Sequence, residues 1–106
     1  MKLQMQSLQF VADQKLLDFI QKKADKLDTY CDQIIDGEVI MKLDKNDRSE
    51  NKIVEIKLNV PGRQLFAKHQ AESFESATDE VIEGLRRQIR KYKQKAGLAK
   101  QQMVAQ

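Results

Sequence analysis

Between residues 86 and 95 the chain carries six cations, Arg86, Arg87, Arg90, Lys91, Lys93 and Lys95, with no carboxylate among them. Guanidinium groups offer a planar fork of N–H donors and ammonium groups a compact charge, and both suit phosphate oxygens. The helix dipole accounts for cations only in a last turn, at about 0.3 to 1 kcal/mol each. Six cations over nearly three turns exceed that need, and their mutual repulsion is costly unless an anion compensates for it. The chemistry implied is non-covalent binding of a polyanion, the alternative being a solubilising surface.

Other reactive side chains are sparse. The single Cys31 and single His69 cannot form a Cys/His zinc site or a Cys-x-x-Cys pair. Cys31 falls on an apolar stripe and reads as a buried, inert thiol, while His69 reads as a structural or surface residue. An enzyme would need Asp44 with Asp47, or the Cys31 thiol, in a cleft. The expectation is therefore no catalysis, no metal, no cofactor and no small-molecule substrate.

The net charge of +3 conceals a division along the chain. Residues 1–85 hold 12 Lys/Arg against 16 Asp/Glu, a net −4, whereas the last 21 residues hold 7 Lys/Arg and no acid, a net +7. With 33% charged residues and no apolar run of about 18, a membrane partner is not expected. The start, MKLQMQSLQF, is too rich in glutamine for the apolar core of a secretory signal, so a cytoplasmic location is expected. The 106 residues suit one domain, assigned to 1–96, with 97–106 as a flexible tail beyond Gly97.

The elements that position these cations follow from periodicity. Leu3 and Met5 alternate with polar neighbours and the phase changes near Ser7, giving a strand over 2–7. Asp13 is a good N-cap for a helix to about Thr29, with Leu16, Leu17, Ile20, Ala24, Leu27 and Cys31 on one side. Lys15, Lys22, Lys23 and Lys26 flank one edge of that stripe; Asp18, Asp25 and Asp28 flank the other. Gly37 permits a bend before a strand over 38–43. The polar DKNDRSEN run, 44–51, reads as a mobile hairpin connection. Val54, Ile56, Leu58 and Val60 mark a third strand. Pro61-Gly62 suits a type II turn into a fourth strand from Arg63 to His69. Ser73 caps a final helix running to about Lys95, which Gly97 ends.

The order β-α-β-β-β-α predicts an α+β two-layer sandwich, a four-stranded sheet with both helices on one face. The outer helix surfaces are then free, and Lys22, Lys23 and Lys26 can join the cations of the last helix in one basic surface.

The Lys26-Leu27-x-x-Tyr30 helix end, the Pro61-Gly62 hairpin, the Phe74-x-x-Ala77-Thr78-Asp79 helix start and Leu85-x-Arg87-Gln88-Ile89-x-Lys91-Tyr92 together resemble the ribosome hibernation promoting factor family. That family is also called ribosome-associated inhibitor A or sigma-54 modulation protein, and the likeness covers about residues 1 to 95. The resemblance implies a fold akin to double-stranded-RNA-binding domains, docked on the small ribosomal subunit where messenger and transfer RNA would lie. It implies contacts to ribosomal RNA phosphates from Lys23, Lys26, Arg87 and Lys91. Lys22, Arg86, Arg90, Lys93 and Lys95 join them by charge, and Arg63 by its place at the hairpin. The chain is expected to be a monomer when free and resembles the short form. Short members either assist dimerisation of ribosomes with a separate factor or idle single ribosomes, and the sequence leaves both open. The alternative is a free-standing double-stranded-RNA-binding module outside the ribosome.

Overall fold

The computed structural model describes residues 1–45 and 49–105, with side chains to Lys95. Its elements are β1 (Leu3–Leu8), α1 (Gln14–Asp25) continuing into a 3-10 turn (Lys26–Thr29), β2 (Asp36–Leu43), β3 (Lys52–Val60), β4 (Arg63–Ala71) and α2 (Phe74–Ala105). The sheet order is β1-β2-β3-β4, with β1 parallel to β2 and the other pairs antiparallel. The α+β sandwich expected from the sequence is the observed fold.

Strand alternation decides which face is dry. Val39 and Met41 of β2, Val54, Ile56 and Leu58 of β3, and Leu65 of β4 are buried. Ile20 and Leu27 from the first helical segment and Val81, Leu85 and Ile89 from α2 close the same core. Both helices thus cover one sheet face. On the other face Lys42 pairs with Glu55 at 2.7 Å and Lys57 with Glu38 at 3.6 Å.

Caps and turns are set by short-range chemistry. Asp13 accepts from the Leu16 amide at 2.9 Å and Ser73 from the Ser76 amide at 3.0 Å, each satisfying an orphan donor of a helix start. Gly62 sits at φ 86°, the left-handed conformation that a type II turn after Pro61 requires.

Three details differ from the sequence reading. β1 keeps one phase through Leu8, with Ser7 in an inward position, and stops at Gln9, whose φ is 71°. Gly37 does not bend the chain; it lies inside β2, paired with Leu3 and Leu58. An added Cβ there would sit 2.6 Å from a Leu3 methyl and 2.8 Å from a Leu58 methyl, so close packing is what demands the glycine. α2 passes through Gly97 to Ala105. One glycine costs a helix only about 1 kcal/mol, and the Leu, Ala, Lys, Gln and Met that follow it are good helix formers with no proline. The connection read as mobile includes residues 46–48, which lie outside the described residues, as does Asp47.

Candidate nucleic-acid interface

The two helical segments run in the same direction along the sheet. Phe10, ahead of α1, stacks on Phe74 at 4.7 Å between ring centroids. Further along, Lys23 pairs with Asp79 at 3.3 Å. Tyr30, beyond the 3-10 turn, meets both Arg86 and Lys93. The basic half of α1 therefore lies level with the acid-rich start of α2, where Lys23 meets Asp79, and the end of the 3-10 turn at Tyr30 reaches the basic half of α2.

On α2 the core stripe of Val81, Leu85 and Ile89 fixes where each cation projects. Arg86, Arg90 and Lys93 lie on the flank toward Tyr30 and line a cavity of about 350 Å³. Lys91 and Lys95 lie on the opposite flank and share a second cavity, about 270 Å³, with Arg63 of β4. Arg87 projects between these flanks and is exposed. The turn at Pro61-Gly62 is what carries Arg63 to this end, and Tyr92 fastens it there, its hydroxyl donating to the Pro61 carbonyl at 3.0 Å.

Few of these cations are internally neutralised. Lys23 is paired with Asp79 and lies 5.4 Å from the Phe19 ring centroid. Arg86 pairs with Glu83 at 3.5 Å. Lys93 is directed by a hydrogen bond from its ammonium to the Tyr30 carbonyl. Among the described residues, Lys22, Lys26, Arg63, Arg87, Arg90, Lys91 and Lys95 form no salt bridge.

The acidic edge of α1 is occupied elsewhere. The Met1 ammonium bonds Asp28 at 2.6 Å and Asp25 at 3.0 Å. Those bonds, Asp28 first, raise the pKa of the ammonium above 8.0, and the bond from the ammonium holds Asp25 below 3.8. These carboxylates are engaged on the edge of α1 that faces the start of β1, away from the Lys23 edge.

The remaining reactive candidates are dispersed. Cys31 is buried at 4% exposure, His69 is exposed on β4, and Asp44 accepts from the Gln70 side chain at 3.0 Å. No helix among the described residues is long and apolar enough to cross a membrane. The sequence reading did not assign Tyr30 or Gln88 to any site. Tyr30 lies 5.0 Å below the Arg86 guanidinium, and the Gln88 amide bonds both the N–H and the carbonyl of Phe66 on β4. Their place in the two helical motifs was the available signal.

Comparisons with known proteins agree with this architecture. The structure is similar to a ribosomal subunit interface protein from Coxiella burnetii, with TM-score 0.78, 22% identity, and coverage of 88% of this chain and 98% of that one. It is also similar to the N-terminal domain of Protein Y from Thermus thermophilus, with TM-score 0.75, 19% identity, and coverage of 87% and 99%. By sequence, it is 32% identical over 82 residues to a ribosome hibernation promoting factor of Pseudomonas putida, covering 77% of this chain and 76% of that protein. It is 34% identical over 77 residues to a ribosome hibernation promotion factor of Deinococcus radiodurans, covering 72% of this chain but only 40% of that longer protein. The family model described as sigma 54 modulation protein / S30EA ribosomal protein matches residues 3–96, and with the relatives above 30% identity it establishes that this chain belongs to that family.

Proposed function

We propose that this protein is a ribosome hibernation factor. It binds the small ribosomal subunit through ribosomal RNA phosphates and blocks translation by occupying the channel that messenger and transfer RNA would use. The observation that carries the reading is the set of cations without salt-bridge partners on the C-terminal half of α2, Arg87, Arg90, Lys91 and Lys95, which Arg63 joins from the hairpin, with Lys22 and Lys26 on the co-directional first helical segment. Such a body acts by occupancy, without catalysis, in the cytoplasm. Residues 1–96 are the binding unit in this reading, which the family model's span of 3–96 supports.

Phosphate contacts release counterions, so log K falls by about 0.7 to 0.9 per neutralised phosphate per log unit of salt. Four to eight contacts give a slope of about −3 to −7. The test is co-sedimentation with purified small subunits across a salt series. Wild type should pellet with that slope, and Arg87→Glu with Lys91→Glu should lose at least about tenfold in affinity and flatten the slope. Recovery of the protein only in light fractions of a stationary-phase lysate, with free RNA duplexes bound as tightly as subunits, would favour the free-standing RNA-binding module instead.

A further inference from the structure

The cavity between the 3-10 turn and α2 has a composition that simple charge attraction does not require. Its walls are Tyr30, Arg86, Arg90 and Lys93, with Ile89 in its floor and Gln94 at its rim, and no carboxylate lines it. Tyr30 is 42% exposed, and the Arg86 guanidinium lies 5.0 Å from its ring centroid. Glu83 holds Arg86 at 3.5 Å, and the Lys93 ammonium is anchored on the Tyr30 carbonyl. Arg90 has no salt-bridge partner among the described residues.

Unpaired RNA bases are held in proteins by stacking on aromatic rings and on guanidinium planes, with the sugar-phosphate fixed by cations. A volume of about 350 Å³ falls in the range of small-ligand sites. We infer that this cavity takes one unstacked nucleotide of an RNA strand. The Tyr30–Arg86 wall receives the base, Ile89 excludes water beneath it, and Arg90 and Lys93 hold the adjoining phosphate. The inference rests on the RNA-binding reading above and adds a base-dependent contact to a surface otherwise described by phosphate alone.

The test uses the full 106-residue chain and two probes of equal charge, a single-stranded adenosine tetranucleotide and the same ribose-phosphate backbone without bases. At low salt, wild type and Tyr30→Phe should bind the adenosine probe about tenfold more tightly than the abasic one. Tyr30→Leu should erase that preference, bringing the adenosine probe to the affinity of the abasic one, and its amide spectrum should report an intact fold. Chemical-shift changes at Ile89 should accompany only the adenosine probe, whereas those at Arg90 and Lys93 should accompany both. Equal binding of both probes by wild type, or a preference that survives Tyr30→Leu, overturns the pocket while sparing the phosphate-binding surface. Failure of both probes to bind at low salt overturns the pocket and the phosphate-binding surface together. Free adenosine monophosphate binding as tightly as the tetranucleotide would assign the cavity to a soluble nucleotide and overturn its assignment to RNA.

Discussion

Gly37 shows how one side chain's absence sets strand spacing. With Leu3 and Leu58 methyls 2.6 and 2.8 Å from its missing Cβ, Gly37→Ala forces the partly buried Leu3 and the buried Leu58 off their positions. Over-packing of this kind costs about 1 to 3 kcal/mol, to be read as a lowered denaturant midpoint with an unchanged m-value. A glycine two residues ahead of an alternating run looks like a bend in the sequence, because one strand cannot display the register of its neighbours. The cations were legible for the opposite reason. Exposed charged residues declare themselves by type, and the core stripe of Val81, Leu85 and Ile89 dictates their projection. Tyr30 was harder to place. Its environment is created by Arg86 and Lys93, more than fifty residues away in sequence.

Elements meet through a few polar contacts that periodicity cannot show. Tyr92 of α2 donates to the Pro61 carbonyl at 3.0 Å and lies 3.3 Å from the Gln33 side-chain oxygen, so one phenol ties α2 to the β3–β4 turn and to the segment before β2. Tyr92→Phe should cost about 1 kcal/mol of global stability, the ordinary net contribution of such hydrogen bonds. Amide exchange should quicken first around Pro61 to Gln64, because Arg63 would lose its brace. The strands and helices themselves were readable from alternation and caps: Asp13 and Ser73 bind the amides that a capping residue should bind. Their ends were less so. The family pattern stops near residue 96, and nothing in a single glycine compels the helix to stop with it.

The molecule as a whole is polarised. Both helical segments point their cation-rich ends the same way, and the stretch with a net +7 follows one with a net −4. A body of this kind is steered by long-range potential, so its association rate carries most of the salt sensitivity while dissociation reports the close contacts. In stopped-flow binding to small subunits, raising salt from about 50 to 200 mM should slow association by at least about tenfold and change dissociation less. Equal sensitivity of both rates would contradict that division. The sheet presents a different hazard, since β4 is an edge strand with backbone groups available to a neighbour. At Phe66 a glutamine side chain imitates a peptide unit, with its amide nitrogen 2.6 Å from the carbonyl and its oxygen 3.2 Å from the N–H. An incoming strand would find that rung of the ladder already filled. Strand pairing along this margin is thus interrupted at Phe66, and the helix that displays the cations also supplies the group that interrupts it.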